Sequence, residues 1–214
     1  MTRTLVPDLE KVLARRLSDA RRVAIVGIGD ELSRHDRLGI LAARDLDALR
    51  LPAVKVFLAG TLPESFTGPI RRWKPDHVVL IDAADMGARP GTVAVIGAQD
   101  IRGSRLSTHA LPLSLVIRYL ESDLGIRVTL VGIQPDLTAN AAAPTAAEVA
   151  GLTRVVATLH RLLGPLGSRG RGKRASGRSE PPARRTKRKS GPRAPPGASS
   201  AHRPRPESRR ARRA

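Results

Sequence analysis

Residues 78–87 read VVLIDAADMG. Four residues of high strand preference, Val78 to Ile81, run without a polar break into Asp82, and a second carboxylate follows at Asp85. A continuous apolar run is what a strand buried on both faces requires, and such strands belong to parallel sheets covered by helices. A carboxylate is costly to desolvate unless something pairs with it. Set at the end of such a run, Asp82 therefore asks for the one place in an open parallel sheet that suits it, the crevice at the carboxyl ends of the strands where ligands sit.

Working outward, the same kind of run recurs four times: RRVAIVGIG (21–29), AVKVFLAG (53–60), GTVAVIG (91–97) and IRVTLVGIQP (126–135). Helical patterns lie between and around them. Leu9, Val12, Leu13 and Leu17 share one helical face, LGILAARDLDAL (38–49) reads as a helix, and Leu113, Val116, Ile117, Leu120 and Leu124 share another face. The last helix is expected to bury Val149, Leu152, Val156, Leu159 and Leu163, and Thr145 with Glu148 has the spacing of a capping box at its start. Strands alternating with amphipathic helices give an α/β fold: a largely parallel five-stranded sheet with helices on both faces, in a single domain over residues 1–167.

Residues 168–214 are of another kind. They hold 17 Lys and Arg against Glu180 and Glu207, so +15 of the chain's formal charge of +19 lies there and only +4 belongs to residues 1–167. With Pro, Gly and Ser between the charges, this segment cannot bury enough apolar surface to offset the entropy of ordering it, and it is expected to be a disordered basic tail. Clustered Lys and Arg can neutralise phosphates, so a non-catalytic binding protein acting through the tail on nucleic acid or acidic partners is one functional reading. The tail has no aromatic residue to stack on bases. No stretch of 18 apolar residues is present, so no membrane span is expected. The first 22 residues lack the compact apolar core of a signal peptide, which makes the cytoplasm the expected location. The absence of cysteine excludes disulfides, thiolate metal sites and cysteine nucleophiles.

Three segments offer chemistry at the expected strand exits. The loop GIGDELSRHDRLG (27–39) carries Asp30, Glu31, His35 and Asp36. Its glycines suggest a dinucleotide fingerprint, but Leu32 stands where the third glycine is needed, and an acidic turn is a poor cradle for pyrophosphate. His109 stands just before the helix in RLSTHALPLSLVIRYL (105–120). Asp36, Asp82 and His109 together supply two carboxylates and one imidazole, an open oxygen and nitrogen set suited to a divalent first-row metal. Three protein ligands leave positions for water or substrate.

VGIGDEL (26–32) with HDRLG (35–39), AGTLPESFTGPIRRWKPDHVVLIDAADMG (59–87), STHALPLS (107–114) and LVGIQP (130–135) occur in this order. In that order the chain resembles, from about Val23 to Leu163, the hydrogenase maturation endopeptidase family. Members trim the C-terminal peptide from the large subunit of nickel-iron hydrogenases, and the nearest branch serves formate-hydrogenlyase and related energy-converting hydrogenases. The resemblance implies a phosphorylase/hydrolase-like α/β fold and a metal-dependent endopeptidase whose partner is the nickel-loaded large-subunit precursor. It implies Asp36, Asp82 and His109 as metal ligands and catalytic residues. The nickel would arrive with the precursor, another divalent cation standing in for it in the isolated protein.

The first loop departs from the family's usual pattern. His35 and Arg37 flank Asp36 where an aspartate and a glycine are usual, and Asp30 stands where asparagine is usual. Arg37 is placed to pair with Asp36 or to compete with a cation for it. Asp85 and Glu31 are further carboxylates that either handle protons or sit idle at the surface. AGTLPES (59–65) would wall the crevice, with Gly60 allowing a peptide backbone to approach closely, and Trp73 reads as a packing cap. A small-molecule hydrolase on a similar sheet is the remaining rival.

Overall fold

The computed structural model describes residues 8–97, 110–140 and 142–166. The chain forms α1 (Leu9–Arg16), β1 (Val23–Ile28), α2 (Leu38–Ala48), β2 (Val54–Gly60), a 3-10 turn (Pro63–Phe66), α3 (Thr67–Trp73), β3 (His77–Ala83) and β4 (Val93–Ile96). Then follow α4 (Ala110–Arg118), a π-helical turn (Tyr119–Asp123), β5 (Arg127–Ile133) and α5 (Ala146–Leu163). All five expected strands are present, and they order as β2-β1-β3-β5-β4. Every neighbouring pair is parallel except β4 with β5 at the edge.

Strict alternation along the central strands builds two cores. Val23, Ile25, Val79, Ile81, Val131 and Ile133 face one way, against α1, α2 and α5. Ala24, Val26, Val78, Leu80, Val128 and Leu130 face the other, against α3 and α4. Burial on both faces explains why these strands read as unbroken apolar runs.

Two helices differ in detail from their expected faces. In α5 the buried stripe is Leu152, Val155, Leu159 and Leu163, while Val149 is exposed and Val156 only partly covered. The rotation follows from a backbone contact: a side chain at Gly151 would stand 2.6 Å from the Gly91 carbonyl oxygen, so that position must lie flat on the loop before β4. The helix expected through Leu124 keeps α-helical form only to Arg118, then widens, with Leu124 N–H donating to Tyr119 at 3.3 Å. The capping box is present in full: Thr145 Oγ1 accepts from Glu148 N–H at 3.3 Å and Glu148 Oε2 accepts from Thr145 N–H at 2.7 Å. Trp73 packs on the second core with the Arg22 guanidinium 4.5 Å above its ring, the packing cap expected of it. Among the described residues no helix is long and apolar enough to cross a membrane. The basic tail, residues 168–214, lies outside the described residues.

Candidate active site

Asp82 is deeper than the sequence suggested. It is the penultimate residue of β3 and is 0% exposed. It pairs in register with Gly132 of β5 and, by alternation after Val78 and Leu80, belongs to the α4 side of the sheet. What lies beside it on the strand-exit edge is the start of α2. Gly39, the second residue of that helix, has no room for a side chain: a Cβ would stand 2.3 Å from the Ile81 carbonyl oxygen and 2.4 Å from that of Ile28. The first turn of α2 is thereby seated on the ends of β1 and β3. A helix N-terminus carries positive partial charge from its unpaired N–H groups, which favours carboxylates close to it.

Asp36 stands three residues ahead of Gly39 and is 8% exposed. Its Oδ2 accepts the backbone N–H of Asp30 at 3.0 Å, so it staples the β1–α2 loop across itself. Gly29, at φ +121, permits this: a side chain there would stand 1.8 Å from the Asp36 carbonyl oxygen. Gly27 serves the same end, since its Cβ would stand 2.3 Å from that of Ala43 on α2. The glycine pair that resembles a dinucleotide fingerprint is thus explained by close packing of loop and helix. Arg37, also buried, donates through Nη1 to the Ala142 carbonyl ahead of α5, tying the first loop to the last.

Other candidates have structural partners. Glu31 pairs with Arg44 of α2 at the surface. Asp85 Oδ1 accepts from Gly87 N–H at 3.1 Å and from Gln134 Nε2 at 3.3 Å. Gln134 is a residue for which the sequence suggested no role. Buried just past β5, it accepts the N–H groups of Met86 at 2.6 Å and Ala88 at 3.2 Å through Oε1, clamping the loop that follows Asp82. Gly60 adopts φ +59, and nothing lies within 4 Å of where its side chain would be, so the wall beside β2 is open at that point. His109 lies outside the described residues; the chain resumes at Ala110 with α4. Among the described residues no three His, Cys, Asp or Glu side chains gather as a metal-holding group. The chemistry at hand is two buried carboxylates on adjoining strand exits, oxygen donors of the type divalent first-row ions take.

Residues 41–159 match the family described as hydrogenase maturation protease (HycI). The chain belongs to the hydrogenase maturation protease family. A hydrogenase maturation protease described as putative, from Methanocaldococcus jannaschii, is 31% identical over 137 residues, 60% of this chain and 81% of that protein. The hydrogenase 3 maturation protease of Escherichia coli strain K12 is 33% identical over 111 residues, 51% of this chain and 70% of that protein. The crystal structure of the NiFe hydrogenase maturation protease HycI from Thermococcus kodakarensis superimposes with a TM-score of 0.64 at 32% identity, covering 71% of this chain and 98% of that one. In this maturation protease Asp82 and position 109 fall inside the matched segment, whereas Asp36 precedes it and the tail follows it.

Proposed function

We propose that this protease removes the C-terminal peptide from the large-subunit precursor of a nickel-iron hydrogenase, working in the cytoplasm, and that Asp36, Asp82 and His109 contact the nickel carried by that precursor. The observation that carries the reading is the seating of α2 on β1 and β3, which sets Asp36 and Asp82 at adjoining strand exits, both buried. Asp82 belongs to the same side of the sheet as α4, and His109 is the residue that precedes α4 in the chain. Two carboxylates and an imidazole suit a borderline divalent ion such as nickel.

In this reading nickel is a feature of the substrate. A divalent ion beside a scissile carbonyl polarises it or lowers the pKa of a bound water. The chain's own part is to hold the loaded precursor in register: the carboxylates fix the metal-bearing end, while the open face at Gly60 admits peptide backbone. Leu32, Leu62 and Leu137, exposed on three strand-exit loops, suit a protein client more than a small ester or amide.

Mixing the purified protein with nickel-loaded and nickel-free precursor and following mass tests the reading. Loss of a C-terminal peptide from the loaded form alone is expected; an intact precursor in both mixtures refutes it.

A further inference from the structure

A second concave site lies at the far end of the sheet, where the strands begin. A cleft of about 580 Å³ opens between α1, the first residues of β3 and β5, and the π-helical turn after α4. Arg15 and Arg16 enter its wall from the last turn of α1, and Arg127 from the first position of β5. Among the described residues Glu121 is the one carboxylate of the lining, so their side chains give the wall a surplus of two positive charges. Arg15 and Arg16 also complement the negative end of the α1 dipole. That role accounts for neither Arg127 nor the residue at the back of the cleft.

That residue is His77, 2% exposed yet part of the wall. Its Nε2 lies 2.9 Å from Thr129 Oγ1, while its Nδ1 is buried and has no hydrogen-bond partner among the described residues. Buried polar atoms are nearly always paired, and an exception calls for a missing partner. The Thr129 hydroxyl can donate to Nε2, which leaves Nδ1 as an N–H donor.

We propose that this cleft binds a small molecule bearing a phosphate group, held by the guanidinium groups of Arg15, Arg16 and Arg127 and by the Nδ1–H of His77. Guanidinium forks match phosphate oxygens, and a surplus of two charges balances a phosphate dianion. The volume exceeds that of a bare phosphate and falls within the range of small-ligand pockets, with Val12 and Val128 offering apolar surface to the remainder. Arg127 Nη1 lies 3.7 Å from Asp19, an exposed pair that an arriving anion would displace at little cost. The site is independent of the strand-exit carboxylates.

The His77 ring is the reporter. Burial first, then Arg127 and Arg16, lower its pKa to about 4, with Asp76 opposing. A bound anion favours the charged ring and so raises that value. Inorganic phosphate is titrated into the full-length protein at constant ionic strength while the histidine ring signals are followed by NMR, His77→Gln giving the assignment. Saturable movement of the His77 signals is expected, with its pKa rising by about one pH unit. The double variant Arg16→Gln with Arg127→Gln should bind at least about tenfold more weakly. Arg16→Gln alone, a change at an exposed position, should show a smaller loss of the same kind. Three outcomes would overturn the proposal: an unresponsive His77 ring, an equal response in the folded variants, or a response to acetate as strong as that to phosphate.

Discussion

Gly39 lies against Asp82: a side-chain carbon at position 39 would stand 2.8 Å from the Asp82 Cα. The carbonyl oxygens of Ile81 and Ile28 are nearer still, and none of these backbone atoms can swing aside. Gly39→Ala should therefore lift α2 from β1 and β3, destabilising the protein by about 3 kcal/mol and impairing precursor cleavage. Urea unfolding measures the first effect. An unchanged midpoint would mean that the approach of helix to strand is not needed for stability.

Asp82→Asn keeps the shape of the side chain and removes its charge. Cleavage of loaded precursor should fall by roughly 100-fold or more, while the protein still unfolds cooperatively, because the substitution conserves side-chain volume. Mass analysis of the precursor and a melting curve give the two readings. Cutting at the wild-type rate would remove Asp82 from the site.

Glu31 behaves differently. Its partner is Arg44, both side chains are substantially exposed, and such pairs contribute little. Glu31→Gln should leave cleavage within about twofold and stability within about 0.5 kcal/mol. A large loss of rate with normal stability would return Glu31 to the list of proton carriers.

Gln134→Leu removes one acceptor from two backbone N–H groups, those of Met86 and Ala88. The buried Met86 N–H left without this partner costs about 1–3 kcal/mol and the half-buried Ala88 N–H less, so the loop after Asp82 should loosen. Hydrogen exchange at Met86 and Ala88 is expected to quicken, with cleavage slowed in parallel. Protection unchanged from wild type would show that another group holds the loop.

His77 sets a pH dependence of stability. Its folded pKa, about 4, lies below the ordinary value of 6.5, chiefly through burial and then through Arg127 and Arg16, against Asp76. As pH falls below 6.5 the unfolded chain takes up the proton first, so stability declines until pH reaches about 4 and is flat below. The loss attributable to this one group is about 1–3 kcal/mol. Urea unfolding of wild type and His77→Gln at neutral pH and near pH 4.5 should show a shallower decline in the variant; parallel declines would assign the effect to other groups.

The strands were legible because burial on both faces demands apolar residues at every position, as in Val78–Ile81, and that demand shows without reference to distant parts of the chain. Partners remote in sequence were not. The reversed direction of β4 had one local sign, a connection from β3 confined to residues 84–92, shorter than a parallel crossover needs. The rotated face of α5 depends on Gly91, sixty positions before the Gly151 that meets it, and the π-helical turn after Arg118 has no periodicity of its own to announce it. At the site, Asp82 was marked as a carboxylate at the end of an apolar run, whereas Asp36 was singled out among the carboxylates of its loop through the resemblance of that loop to the family's. Gln134 escaped notice, since its partners lie 48 and 46 residues away and are backbone groups, which leave no mark in the sequence.

Gln134 grips its loop by peptide groups and is blind to most of the side chains that loop displays. Arg89, exposed on that loop, is therefore free to change as a client's surface changes, while the rim to which it belongs keeps its place. Divergence of clients is in this way uncoupled from upkeep of the scaffold, and one amide side chain suffices to separate the two.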